Sequence, residues 1–294
     1  MTKQPQLLIL PFDHRSSFSR DLLGYEGKLT PKQKNDVKAL KRIVFDAFES
    51  VVNKDRSRGE FGILLDEEFG SELLRKAKKM GVQLCLTTEK SGQKEFQFEY
   101  GASFAKHINA FSPQYVKALV RYHPANVEAN KHQLTRLKKL SDFCHRNGYQ
   151  LLFELLVPPT EQDLAKVKTQ AAYDKKLRAK YTEQAIQEIQ KKVDVDLWKV
   201  EGFTKGEWKR ILKITNPASR MIVLGRGGDR KQVETWLKDA AGFEQIIGFA
   251  VGRTIFYEPL KGFIAKKLSR TQAVEGIAKR FSSFVRLWRS KKSA

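Results

Sequence analysis

Eight short apolar runs, each separated from the next by a segment of helical character, are the feature that most restricts the fold of this chain. Strands that alternate with helices form parallel sheets, and eight such units in 294 residues are typical of a single (β/α)8 TIM barrel. The alternative is an open doubly wound sheet, which places a glycine-rich turn after its first strand. Here Asp13 follows the first run and the glycines follow the seventh, so the barrel is favoured. The predicted strands are residues 7–12, 61–66, 82–87, 115–122, 150–157, 195–202, 221–224 and 246–251.

The segments between these runs carry helix signals. Thr30 followed by Pro31 is a typical helix start, and apolar residues recur with a helical period from residue 35 to 52. Gly81 and Gly148 each follow a helical segment as C-caps, and the polar stretch 161–193 is expected to hold one or two helices. Since no linker or repeat is visible, we expect one domain over residues 1–294, with a C-terminal helical extension over about residues 260–294.

The net charge of +22 is compatible with nucleic-acid binding. Lysine and arginine are spread through every predicted helix, however, and no compact basic aromatic motif occurs. We therefore expect a basic solvated surface that attracts small anionic substrates, and not a nucleic-acid partner.

Other sequence features bear on the cellular location of the protein and on its oligomeric state. No apolar run approaches the roughly 20 residues that span a bilayer, so no membrane partner is expected. The N-terminal residues lack the apolar core and cleavage site of a signal peptide. Cys85 and Cys144 form neither a disulfide framework nor a metal motif, which favours the reducing cytoplasm. The sequence leaves a homo-oligomer open.

Charged residues interrupt three successive strands at their middles: Lys117, Glu154 and Lys199. Side chains alternate along a strand, so these three are expected to face one shared interior. Burial lowers the pKa of a lysine in general, and a neutral amine attacks carbonyl carbons. One interpretation is a structural ion-pair cluster. Because buried pairs rarely offset their own desolvation, a functional site is favoured.

Glycine and arginine follow both of the last two strands, in G-R-G-G-D-R and in G-R-T. In a TIM barrel these two loops often form a phosphate pocket from backbone N–H groups. The alternative is a pair of tight turns with surface arginines. The residues concerned are Gly225, Arg226, Gly227, Gly252 and Arg253.

Further polar residues lie at the carboxyl ends of the strands, where the active site of this fold is found. Glu201 shares the inward parity of Lys199, so it either tunes that amine or neutralises Lys117 or an arginine. The five histidines show no metal-binding spacing, and no metal site is predicted. The other candidates are Asp13, Arg15, Glu89, Lys90 and Arg121.

Six motifs in order resemble the tagatose-1,6-bisphosphate aldolase group of class I, Schiff-base aldolases. They are most similar to the domain fused behind the kinase in bacterial 5-dehydro-2-deoxygluconokinase, an aldolase assigned to myo-inositol catabolism. The motifs are F-D-H-R at 12–15, I-L-L-D-E-E-F-G at 63–70, E-K-S-G at 89–92, L-F-E-L-L at 152–156, W-K-V-E at 198–201 and G-R-T-I-F at 252–256.

The resemblance implies a role for each matching residue. Lys199 would form the Schiff base, Glu154 would be the general acid and base, Asp13 would orient or deprotonate a substrate hydroxyl, and Lys117 would be a second cation. The glycines and arginines after the last two strands would hold a phosphate, and Arg15 or Arg121 would bind a carboxylate as a fork. No cofactor is implied. Two residues depart from the tagatose group: His14 replaces a glutamine and Arg121 a neutral residue.

The resemblance implies a lyase that cleaves 2-deoxy-5-keto-gluconate 6-phosphate to dihydroxyacetone phosphate and malonate semialdehyde. One alternative is an aldolase for another phosphorylated ketose, such as tagatose 1,6-bisphosphate. The other is a barrel without catalysis that binds a phosphorylated metabolite.

Overall fold

Eight parallel strands close into a barrel in sequence order, with β1 paired to both β2 and β8. The computed structural model describes residues 6–292. Residues 1–5, which were expected not to form part of a signal peptide, and residues 293–294 of the predicted domain lie outside the described residues. The predicted TIM barrel is confirmed. The strands are β1 (Leu7–Pro11), β2 (Phe61–Leu65), β3 (Gln83–Thr87), β4 (Tyr115–Arg121), β5 (Gln150–Leu156), β6 (Leu197–Glu201), β7 (Arg220–Leu224) and β8 (Ile246–Ala250).

The helices lie outside the strands and begin where the sequence provides caps. Thr30 and Gln33 form a capping box at the start of α2, and Gly81 ends α3 in the left-handed conformation. None of the helices within residues 6–292 is long and apolar enough to cross a membrane. The helices are α1 (Ser16–Leu23), α2 (Pro31–Val52), α3 (Glu67–Met80), α4 (Phe104–Phe111), α5 (Val127–Arg146), α6 (Glu161–Val167), α7 (Gln170–Lys176), α8 (Arg178–Ile189), α9 (Lys205–Ile214), α10 (Arg230–Ala241), α11 (Arg253–Ile264) and α12 (Arg270–Lys292).

The strand side chains divide into two apolar layers. Leu197 of β6 belongs to a small cluster inside the barrel, together with Leu152 and Ile222 of the neighbouring strands. Trp198 and Val200 belong instead to the large layer between the barrel and the helices. Lys199 therefore points into the barrel, directly above Leu197.

The last helix completes the ring around the barrel. α12 packs against α2, α10 and α11. Its Phe281 and Trp288 are buried against Phe249 of β8, and Phe281 also contacts Phe48 of α2. The region predicted as a C-terminal helical extension thus contains the end of α11, which is the helix that directly follows β8, and α12, which packs against α2 and α10.

Two helical regions differ from the predictions. The stretch 161–193 contains three helices, because Lys168 ends α6 in the left-handed conformation and Thr169 caps a new helix. The eight-residue helix α1 was not predicted, since only Phe18 and Leu22 give it an apolar face.

Candidate active site

A cavity of about 380 Å³ opens at the carboxyl ends of the strands. Its size falls in the range of small-molecule sites. It is lined by eight cationic side chains against three carboxylates, which suits an anionic ligand. Thirteen of the fourteen predicted site residues line it: Asp13, Arg15, Glu89, Lys90, Lys117, Arg121, Glu154, Lys199, Gly225, Arg226, Gly227, Gly252 and Arg253.

Lys117 is surrounded by three carboxylates. Its Nζ lies 2.9 Å from Asp13 Oδ2, 2.6 Å from Glu89 Oε1 and 2.9 Å from Glu154 Oε2, and the side chain is only 1% exposed. Burial by itself lowers the pKa of Lys117, but the charges of Asp13, Glu154 and Glu89 outweigh burial and raise it well above its ordinary value. Lys117 is therefore a fixed cation at neutral pH.

Glu154 bridges the two lysines of the barrel interior. While its Oε2 contacts Lys117, its Oε1 lies 2.9 Å from Lys199 Nζ. The strand register explains this arrangement, since Glu154 lies opposite Lys199 in the β5–β6 pair and opposite Leu119, two residues beyond Lys117, in the β4–β5 pair. Burial raises the pKa of Glu154, but Lys117 and Lys199 overcome that effect and lower it below its ordinary value.

Asp13 and His14 lie at the end of β1 on the same cavity. Burial opposes ionisation of Asp13, yet the charge of Lys117 holds its pKa far below the ordinary value. Burial lowers the pKa of His14 to about 4, despite the nearby carboxylate of Asp13. At neutral pH the site therefore contains an ionised Asp13 and a neutral His14.

Arg15 and Glu89 anchor the β1 and β3 loops to each other. The Arg15 guanidinium contacts the carboxylate of Glu99 at 2.5 Å and also donates to the backbone carbonyl of Glu89. Glu89 Oε2 accepts the backbone N–H of Leu119. Both ends of the guanidinium are thus occupied by protein groups.

The loop after β7 is a tight turn beside the start of α11. Gly228 N–H donates to the Gly225 carbonyl at 2.8 Å, and the two residues between them have positive φ angles of 48° and 73°, which is the pattern of a type I′ turn. No side chain caps the N-terminus of α11, and a Cβ at its N-cap Gly252 would collide with the Pro11 carbonyl oxygen. Open N–H groups at a helix start favour anions.

Glu201 is the one predicted site residue that does not line the cavity. Its Oε1 lies 2.8 Å from Arg226 Nε and its Oε2 lies 3.2 Å from Arg178 Nη1. Burial raises the pKa of Glu201, and the two arginines act against that rise. Of the two predicted options, the structure places Glu201 against arginines.

Three cations of the cavity make no ion pair with a carboxylate within residues 6–292: Lys90, Arg121 and Arg253. Arg121 ends β4 and, among the described residues, donates to the Gln93 carbonyl alone, while Lys90 follows the adjacent β3. Arg253 follows β8 and donates to the Arg226 carbonyl at 3.3 Å. β4 and β8 lie on opposite sides of an eight-stranded barrel, and β6 with Lys199 lies midway between them.

The protein family described as "Uncharacterized protein conserved in bacteria (DUF2090)" matches residues 1–292. The chain belongs to the DUF2090 family. Its fold is similar to the crystal structure of Cgl0159 from Corynebacterium glutamicum (Brevibacterium flavum), with a TM-score of 0.61 and 14% sequence identity over 95% of this chain and 86% of that one. At that identity the likeness concerns the fold alone. None of the curated proteins matches the chain significantly.

Several residues around the cavity of this DUF2090 protein were not assigned a function from the sequence. Ser16, Ser17 and Arg20 belong to the short helix α1, and Ser16 Oγ lies 3.0 Å from Ser91 Oγ across the cavity mouth. The pair of serines after the D-H-R motif was the available signal. Within residues 6–292, no group of three or more histidine, cysteine or acidic side chains is arranged to hold a metal ion.

Proposed function

We propose that this DUF2090 protein is a metal-independent class I aldolase that cleaves a phosphorylated keto sugar acid. The observation that carries the proposal is the buried Lys199 amine, 2.9 Å from Glu154 in the wall of a cationic cavity. TIM barrels are commonly enzymes, and their active sites lie at this end of the strands. The resemblance of the six motifs to Schiff-base aldolases supplies the reaction class.

The proposed reaction begins at Lys199. Glu154 accepts a proton from the amine, and the nitrogen attacks the substrate ketone. Glu154 then returns the proton to the former ketone oxygen, which leaves as water and gives an iminium. Asp13 removes the proton of the hydroxyl two carbons from the iminium carbon. The bond between the carbon that bears this hydroxyl and the carbon next to the iminium breaks, and malonate semialdehyde leaves. The bonding electrons form an enamine on Lys199. Protonation of the enamine and hydrolysis by water release dihydroxyacetone phosphate and the free amine.

The direct contact of Glu154 with Lys199 supports this division of labour. Glu154 is within hydrogen-bond reach of the amine, whereas Asp13 contacts Lys117 and makes no hydrogen bond or ion pair with Lys199 within residues 6–292. The fixed charge of Lys117 keeps both carboxylates in their ionised form, which is the form that a general base requires. Lys117 is in this scheme an electrostatic partner of the two bases.

The positions of the unpaired cations support a substrate with an anionic group at each end. Arg253 and the turn after β7 would take the phosphate, next to the ketone that reacts with Lys199. Arg121 would take the far carboxylate, because Arg15 is already bound to Glu99. The substrate 2-deoxy-5-keto-gluconate 6-phosphate, as used in myo-inositol catabolism, carries its carboxylate and phosphate in this way.

One feature of the cavity also favours a bisphosphorylated ketose as the substrate. Lys90 and Arg121 both line the cavity, at the ends of the adjacent strands β3 and β4, and two cations suit a second phosphate as well as a carboxylate. Tagatose 1,6-bisphosphate therefore belongs in the substrate panel. A coupled assay for dihydroxyacetone phosphate that compares the keto acid phosphate with the bisphosphate ranks the two substrates.

The decisive experiment traps the covalent intermediate. Incubation with dihydroxyacetone phosphate and borohydride should add the reduced triose phosphate to Lys199, as located by peptide mass spectrometry. Lys199→Arg should abolish the adduct, whereas Lys90→Arg should keep it. An adduct elsewhere, no adduct, or loss of activity in a chelator would overturn the proposal, and saturable ligand binding without turnover would support the non-catalytic barrel.

A further inference from the structure

Arg226 has an unusual backbone conformation for its place in the fold. Among residues 6–292, four non-glycine residues have a positive φ, and the other three (Ser112, Lys168 and Lys266) follow the last turn of a helix, where this conformation is common. Arg226 lies instead in the turn after β7, between Gly225 and Gly227. Glycine would adopt φ 48° without strain, so the arginine side chain itself must provide a compensating interaction.

That interaction is a closed ring of four charged side chains. Arg226 contacts Glu201 Oε1 through Nε and Asp174 Oδ2 through Nη1, both at 2.8 Å. Arg178 contacts the second oxygen of each carboxylate, at 3.2 Å for Glu201 and 3.7 Å for Asp174. Each carboxylate thus links the two arginines, and the four formal charges cancel.

The ring joins the end of β6 and the turn after β7, which both border the cavity, to the helices α7 and α8. Glu201 ends β6, two residues after Lys199, while Asp174 and Arg178 belong to α7 and α8 in the connection between β5 and β6. Arg178 is buried, donates to the Gly202 carbonyl at 3.1 Å and lies 4.9 Å from the centre of the Phe203 ring. Arg178 is therefore a fixed point to which the turn after β7 is attached.

The turn after β7 also positions Arg253. The Arg226 carbonyl accepts a hydrogen bond from Arg253 Nη2, and the Arg253 guanidinium lies so close to Gly227 that a Cβ there would be about 3 Å from it. Arg253 makes no ion pair with a carboxylate in the described part of the chain, so its charge is available to a ligand.

We infer that Asp174 and Arg178 are positioning residues for phosphate recognition, and that Arg226 acts through its backbone rather than as the cation that binds the phosphate. The ring holds the turn after β7 at a fixed place relative to Lys199, and the turn orients Arg253 toward the anion. This inference rests on the phosphate pocket of the proposed function, but not on the aldol chemistry.

The direction in which one substitution changes phosphate binding separates this inference from the alternative, in which the Arg226 side chain binds the phosphate itself. Asp174→Asn keeps the shape of the side chain and removes one negative charge near the cavity. If the Arg226 side chain binds phosphate directly, the released guanidinium should tighten the binding. If the ring positions the turn, phosphate binding should weaken. We expect the dissociation constant to rise about tenfold, which is the smaller of the effects seen when a residue that orients a metal ligand is removed.

The experiment measures the dissociation constant of inorganic phosphate by isothermal titration calorimetry on the full chain. Arg178→Lys keeps the charge but loses the planar fork that reaches both carboxylates, so it should weaken binding as Asp174→Asn does. The matched control is Glu183→Gln on α8, whose ion pair with Arg210 lies outside the ring. Thermal unfolding of each variant checks that the fold is retained.

Unchanged or tighter phosphate binding by Asp174→Asn would overturn the inference, as would an equal loss in Glu183→Gln. If the unaltered protein binds no phosphate, the pocket and the role of the ring both fail. Borohydride trapping at Lys199 reports separately on the aldolase proposal, so each of the two can fail while the other stands.

Discussion

The carboxylate of Glu154 and the amine of Lys199 lie 2.9 Å apart inside the barrel, at neighbouring positions of the β5–β6 pair. The second oxygen of Glu154 is held by Lys117, so the carboxylate has a fixed direction. A base that is oriented before the substrate arrives loses little entropy in the reaction. This relationship gives the first prediction.

Glu154→Gln should lower kcat by about 10²- to 10⁴-fold, the range for loss of a general acid or base. The amide has the same shape but cannot accept the proton of Lys199. The measurement is a coupled assay for dihydroxyacetone phosphate, with Glu161→Gln on the exposed first turn of α6 as the control. Unchanged turnover in Glu154→Gln would assign the proton transfer to another group.

Lys117→Met should destabilise the fold by about 3–5 kcal/mol, because three buried carboxylates lose their common partner. Equilibrium unfolding in urea measures the change. Lys138→Met, which removes an exposed ion pair to Asp142, should cost less than about 1 kcal/mol. If the two substitutions have equal effects, the carboxylates around Lys117 are not dependent on its charge.

His14→Gln should remove a pH dependence of stability. The pKa of His14 is about 4 in the folded protein, against 6.5 for an ordinary histidine, because burial disfavours its charged form. As the pH falls from 6.5 to 4, the unfolded chain binds a proton that the folded protein does not, so the unaltered protein loses stability. The unfolding free energy of the unaltered protein minus that of His14→Gln should therefore decrease as the pH falls from 6.5 to 4. A constant difference would contradict the lowered pKa.

Arg121→Gln should reduce the preference for a substrate with a second anionic group. Loss of a hydrogen bond to a charged group is worth about 1.5–3 kcal/mol, which corresponds to about 10- to 100-fold in kcat/KM. The substrate with two anionic ends should be affected, and a phosphorylated ketose without the second anion should not. Arg146→Gln, on the exposed end of α5, is the control. An equal loss for both substrates would assign Arg121 to general electrostatic attraction.

Much of the fold could be predicted because the apolar runs mark the strands. Each of the eight strands was predicted to within a few residues, since the runs are short and bounded by polar segments. The alternation of side chains along a strand was sufficient to place Lys117, Glu154 and Lys199 toward a common interior. These inferences need only local geometry and the order of neighbouring strands.

The partners of Glu201 could not be predicted in the same way. Parity places its side chain inward but does not say which distant group it meets. Of its two partners, Arg226 follows β7, and Arg178 comes from the polar stretch between β5 and β6, where neither an apolar period nor a motif marks a position. The contact of Lys117 with three carboxylates could not be predicted from the sequence either. It depends on how the loops after β1 and β3 fold over the mouth of the barrel.

The packing of α12 has a consequence for the biosynthesis of the protein. β1 and α2 are translated before most of the barrel, but their partners β8 and α12 are translated after the other strands. Until then, β1 has an open edge and Phe48 lacks the cover that Phe281 provides. Exposed strand edges and apolar faces promote aggregation of nascent chains. During synthesis the chain therefore exposes this strand edge and this apolar face until β8 and α12 have emerged from the ribosome.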